Sequence, residues 1–216
     1  MKGLLMKDFR LMKGQKNFFL VILVLAVFMT ATAESTFAIA FLGFVGSLFT
    51  ISSISYDEFD NGNAFLFSLP ITRKGYVLEK YTFGFILGGC AWLFGVIICT
   101  CFSLAKGIDS YTDYFLSALL ILPIILVLLS IMIPFQLKFG AEKGRIAIIA
   151  VVGGIAALSA IAANVLKTFG VDWGFVLNRL PAISMGMTIL TGVLLAMVVL
   201  LLSYRISCKV MSKKEF

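Results

Sequence analysis

The stretch Ser55–Tyr81 reads SYDEFDNGNAFLFSLPITRKGYVLEKY, and its reading decides how the rest of the chain is understood. It carries four of the eleven acids (Asp57, Glu58, Asp60 and Glu79) and is too polar to sit in lipid. Two long apolar runs precede it and four follow. A polar interval placed this way is a loop between membrane spans, held at the bilayer surface by the helices on either side.

Composition supports that setting. A length of 216 residues alone suits one or two soluble domains, but 61% hydrophobic and 13% charged residues describe a polytopic membrane protein. Mean hydropathy is +1.06. Each apolar run approaches or exceeds the roughly 20 helical residues that cross a bilayer. Six spans are expected at about 17–33, 36–54, 82–104, 114–137, 146–166 and 183–203, in one all-α transmembrane domain covering 1–216. None contains Asp, Glu, Lys or Arg. The basic start is unlike a cleavable secretory signal, so the first span is expected to remain.

Basic residues set the orientation. With the N-terminus inside, 15 of the 18 Lys and Arg residues fall on the cytoplasmic side, so both termini are expected there. The net charge of +7 then reflects topology and attraction to anionic headgroups rather than nucleic acid. Within 1–16, Leu4, Leu5, Phe9 and Met12 recur at helical spacing, while Lys2, Lys7, Arg10 and Lys13 occupy other faces. This predicts an amphipathic interfacial helix, with an unstructured basic tail as the alternative. Lys7, Arg10, Lys13, Arg73 and Lys74 are the expected anchors in membrane lipid, and the basic half of the loop as far as Lys80 is read the same way.

Within the spans, Gly84 and Gly88 form a small-xxx-small pattern that permits close helix approach. Pro123 and Pro134 are expected to bend the fourth span. The fifth, 146–166, is rich in Gly and Ala and suits packing, and Trp173 in the following outer segment suits an interfacial anchor. Cys90, Cys99, Cys101 and Cys208 read as small hydrophobes, with neither disulfide nor metal site expected.

Several chemistries are disfavoured. The chain has no GxxxxGK[ST] phosphate loop, no GxSxG or HExxH motif, and no histidine. It is therefore not expected to be an enzyme or to bind a cofactor itself. Ion-coupled carriers usually keep charged groups inside the membrane, and these spans hold no Asp, Glu, Lys, Arg or His. If the protein transports, energy arrives from outside the bilayer.

The loop itself predicts two helices. Ser55–Glu58 has the S-x-x-E capping pattern, which places Asp57, Glu58 and Asp60 in the first turns of a short helix. Phe59, Leu66 and Leu69 then build an apolar ridge with Phe65 beside it, and Pro70 ends the helix. Thr72 caps a second helix running from Arg73 into the third span. An acidic, aromatic helix held at the membrane suits a groove on a soluble partner; the alternative is a helix folded onto the protein's own inner surface.

At these residues the chain resembles a known family. Tyr56-Asp57-Glu58, then Ser68 through Lys74, then Val77 through Tyr81 are similar to the loop signature of small ABC-2 type permeases. Within that family the chain is most similar to the permease subunits of phenol-soluble modulin and antimicrobial-peptide exporters. The resemblance implies a bacterial plasma-membrane exporter of two permeases, identical or sister subunits, with two separate ATPase subunits that bind ATP and Mg. It implies that Tyr56, Asp57, Glu58, Phe59, Asp60, Phe65, Leu66, Leu69 and Pro70 form a coupling helix against the ATPase. The expected cargo is an amphipathic or hydrophobic substrate such as a cytolytic peptide. An ATP-independent channel or scramblase, or a peptide-sequestering immunity protein, remains the alternative.

Overall fold

The structure, a computed structural model, describes residues 2–32, 35–59, 62–106, 115–140, 143, 153 and 185–214. Among these it is all helical. The elements are α1 (Lys2–Gly14), α2 (Lys16–Thr32), α3 (Ser35–Glu58), α4 (Gly62–Ser68), α5 (Arg73–Ala105), α6 (Phe115–Gly140) and α7 (Met185–Lys213). By length and composition α3, α5, α6 and α7 can each cross a membrane. α1 and α2 meet at a bend of 68° and together add a fifth candidate. The spans expected at 17–33, 36–54, 82–104, 114–137 and 183–203 thus coincide with helices. The one expected at 146–166, with Trp173 beyond it, lies outside the described residues.

The bundle is organised around α3 and α5, whose backbones approach closely where glycines omit a side chain. A Cβ on Gly95 would lie 3.0 Å from the Cα of Ile39, and one on Gly46 only 2.9 Å from Ala91 Cβ. Gly84 faces Thr50 and Gly88 faces Ser47 in the same seam, so the small-xxx-small pattern does permit the approach expected of it. Ile39, Ile54, Tyr76, Val77 and Trp92 continue the core from these helices to Leu129 and Ile133 of α6. The Trp92 indole donates to the Ala118 carbonyl at 2.8 Å, which satisfies its one polar atom. α6 remains helical through both Pro123 and Pro134. α7 adds its polar edge: the Tyr81 hydroxyl lies 2.5 Å from Ser203 Oγ and 2.8 Å from Ser207 Oγ.

The loop departs from its sequence reading where it begins. α3 does not stop before Ser55; it continues to Glu58, so the S-x-x-E segment is the end of a helix rather than the start of one. Ser55 returns its hydroxyl to the Ile51 carbonyl at 3.1 Å and accepts from Gln136 Nε2 at 3.0 Å, leaving the backbone ladder intact. Asp57 and Glu58 consequently sit at the unfavourable end of a helix dipole and need cationic partners. Beyond them, α4 ends at Ser68 ahead of Pro70 as expected, and Thr72 caps α5 by accepting from the Gly75 amide at 3.1 Å.

Gly95→Val should lower stability by about 1–3 kcal/mol, because the backbone of α3 has no room to yield. Gly89→Ala, whose Cβ would meet nothing within 4 Å, should be neutral or slightly stabilising in the same detergent-solubilised thermal unfolding experiment.

Candidate functional site

The polar loop gathers its charges against α1, and the reason lies in helix periodicity. On α5, Tyr76, Lys80, Gly84 and Gly88 recur every four residues and share the buried face. Lys80 is therefore carried into the seam between helices, where it is 0% exposed. On α1 the buried residues are Leu4 and Asp8, again four apart. Asp8 enters the same seam from the opposite side, and Ser53 and Asp57 of α3 complete it.

The Lys80 ammonium sits 2.5 Å from Asp8 Oδ2, 2.8 Å from Asp57 Oδ2 and 2.6 Å from Ser53 Oγ. Three N–H donors thus meet three oxygens, which satisfies the group completely. Ser53 donates in turn to Asp8 Oδ2 at 2.6 Å, and Tyr76 donates to Asp57 Oδ2 at 3.1 Å. Lys7 pairs with Asp57 and lies 3.2 Å from Asp8 Oδ1. Burial alone lifts the Asp8 carboxyl. The Lys80 charge, with hydrogen bonds from Lys80 and Ser53, more than reverses this and holds it below its ordinary value of 3.8. Asp8 is thus ionised at neutral pH, and its contribution fades only as acidification passes through that lowered value. Glu79 is the poorly served member: among the described residues its oxygens accept no hydrogen bond, and Lys80 is 3.6 Å away.

The expected docking residues divide between two faces. Tyr56, Phe59, Phe65 and Leu69 are 50%, 71%, 72% and 44% exposed, and Pro70 is exposed beside them. Asp57 and Leu66 are buried, and Glu58 is half-buried. Asp60 lies outside the described residues. The outward surface is therefore an aromatic rim, while Asp57 points into the ionic cluster. The Tyr56 hydroxyl also accepts from Gln15 Nε2 at 2.7 Å, joining the rim to the corner between α1 and α2.

Both ends of the loop are tied to the end of α7. Lys214 donates to Glu58 Oε1 at 2.6 Å and to the Leu137 carbonyl at 3.2 Å. Arg73 donates to the carbonyls of Met211 at 3.2 Å and Ser212 at 2.8 Å. Gly140 ends α6 with φ 76°, and a Cβ there would come within 3.3 Å of Glu58 Oε2. The expected anchors sort accordingly. Arg10, Lys13 and Lys74 are exposed, whereas Lys7 and Arg73 bond within the protein. Lys80 is no headgroup anchor, because its helical phase turns it inward.

Sequence reasoning passed over Asp8, Ser53 and Tyr76. The available signal was Asp8 itself, the single acid of α1, standing one turn from Leu4 on the apolar face. Among the described residues no group of acid, cysteine or histidine side chains is arranged to hold a metal ion. The arrangement is a buried ionic joint backing an exposed aromatic loop.

The family model described as "ABC-2 family transporter protein" matches residues 3–212. No curated protein and no solved structure matches the chain.

Lys80→Met should cost about 3–5 kcal/mol by leaving buried carboxylates without their cation. Adding Asp8→Asn should recover part of the loss in a thermal-unfolding double-mutant cycle. Glu79→Gln should be tolerated or stabilising, since it replaces a buried carboxyl that has no hydrogen-bond partner among the described residues.

Proposed function

Because the chain belongs to the ABC-2 family of transporter proteins, a membrane transport component, we propose that it is the permease subunit of an ATP-binding cassette exporter. In this reading a separate ATPase subunit binds ATP and Mg and docks on the loop between α3 and α5. The observation that carries it is the exposed rim of Tyr56, Phe59, Phe65 and Leu69 on a loop braced at both ends. Large apolar side chains that a protein leaves exposed beside charged residues mark contact sites, and aromatic residues are favoured at the centres of such contacts.

The ionic joint supplies a route for force. Displacement of the rim by a closing ATPase moves the end of α3, and Asp57 passes that movement to Lys80 on α5 and Lys7 on α1. Two permeases, a pair of this chain or this chain with a sister subunit, would then rearrange against each other in the bacterial plasma membrane, with loop and termini cytoplasmic.

The proposed cargo is amphipathic or hydrophobic, such as a membrane-active peptide. Support comes from a groove of about 590 Å³ between α2 and α3, walled by Phe18, Phe41, Phe49 and Phe59. Its polar lining, Gln15, Ser52, Ser55 and Tyr56, is gathered at the loop end. A cavity graded in this way suits a molecule with one polar end and an apolar body.

Phe59→Ala combined with Phe65→Ala should reduce co-purification of the cognate ATPase at least tenfold, the scale of removing aromatic anchors from an interface. Thermal stability should be unchanged, because neither ring is buried. Undiminished complex formation and transport would overturn the docking assignment. Cargo flux through liposomes holding this chain alone would favour an ATP-independent channel.

A further inference from the structure

A second groove, of about 430 Å³, opens where α1 turns into α2 and runs up the outside of α3 and α5. Lys13 and Lys16 stand at its mouth on either side of the 68° bend, and its walls beyond them are apolar, with Leu23, Leu87, Cys90 and Phe94 among the lining. Among the described residues neither lysine side chain has an ion-pair or hydrogen-bond partner, in contrast to Lys7, Lys80 and Lys214. From Lys16 to Leu23 along α2, and from Leu87 to Phe94 along α5, is seven residues, about 10 Å of helix rise in each case. Two cations thus sit at one end of an apolar trough about two turns long.

That pairing selects its occupant. A neutral lipid offers the trough a chain but leaves two ammonium groups without a counter-charge. A soluble phosphate offers the charge but leaves the trough unfilled. An anionic phospholipid provides both, and basic pockets beside membrane helices take such headgroups. We propose that this groove is a discrete binding site for one anionic phospholipid, its phosphate held between Lys13 and Lys16 and one acyl chain lying along α5 toward Phe94. The bound lipid fastens the α1–α2 bend to the central α3–α5 pair. This groove shares the Ile22 and Val45 side chains with the cargo groove and is otherwise lined by other residues, and it does not depend on the assignment of the docking loop.

The test is native mass spectrometry of the purified full chain, titrated with phosphatidylglycerol or phosphatidylcholine of identical acyl chains. Phosphatidylglycerol should be retained preferentially at a stoichiometry of one. The Lys13→Gln/Lys16→Gln variant should lose that preference by about fivefold per lysine, the effect of one basic residue at an anionic surface. Lys2→Gln/Arg10→Gln removes the same charge from exposed positions outside the groove and should leave the preference unchanged. Cys90→Trp, at an exposed wall position, should reduce retention of phosphatidylglycerol while both lysines remain. Equal retention of the two lipids, or an equal loss in the Lys2/Arg10 control, would overturn the proposal. So would displacement of the lipid by soluble glycerol phosphate at matching concentration, since that outcome describes an anion site without a chain.

Discussion

The interaction on which the rest of this structure depends is the Lys80 ammonium, buried and surrounded by Asp8, Ser53 and Asp57. Three helices distant in sequence contribute to it, and each brings a group that could not stay in an apolar seam unaided. Removing a charge from water costs several kcal/mol per ion, and the mutual attraction offsets this only when the geometry is good. The cluster is therefore poor evidence for high stability. It is better evidence for specificity, because few other arrangements of α1, α3 and α5 bring Asp8, Ser53 and Asp57 together around the Lys80 ammonium. Packing of Ile39 against Gly95 fixes how close α3 and α5 come, and the cluster fixes their axial register and the place of α1 beside them.

Much of this was legible in the sequence, and the misreadings have physical causes. The apolar runs, the glycine seam, the stop at Pro70 and the cap at Thr72 are local signals, each readable from a few adjacent residues. The S-x-x-E pattern misled because Ser and Glu at that spacing look the same at a helix start and in the last turn of a helix already under way. What decides between the two is whether cations are at hand to receive Asp57 and Glu58. Those cations come from Lys7, Lys80 and Lys214, and their arrival is a tertiary fact. Lys80 misled for a related reason: a basic residue beside a span ordinarily faces headgroups, yet its phase with Tyr76 and Gly84 turns it inward. The inward face of Asp57 follows from the same partners, and it leaves the aromatic rings as the exposed part of the loop.

Membership of the ABC-2 family and the geometry of the loop bear on different questions. The family accounts for a multi-pass helical chain that takes part in transport. The geometry adds which side chains present themselves outward and which hold the loop in place, a division that residue types alone do not make. Tyr56 and Asp57 are neighbours in sequence and point to opposite sides of the loop end, one to solvent and one to the buried lysine.

The bonds from Arg73 to Met211 and Ser212, and from Glu58 to Lys214, have a consequence in time. Their partners lie 138, 139 and 156 residues apart along the chain. A ribosome adding roughly 5–20 residues each second needs many seconds to make that interval. From the completion of α5 onward, α3, α4 and α5 exist while the loop between them still lacks the braces that α7 will supply. The surface is thus finished late, after the helices that frame it. An incomplete chain stalled before residue 211 would expose the loop's rings without the bonds that hold its ends, so a partner requiring the braced shape would meet it only on subunits whose synthesis had passed α7.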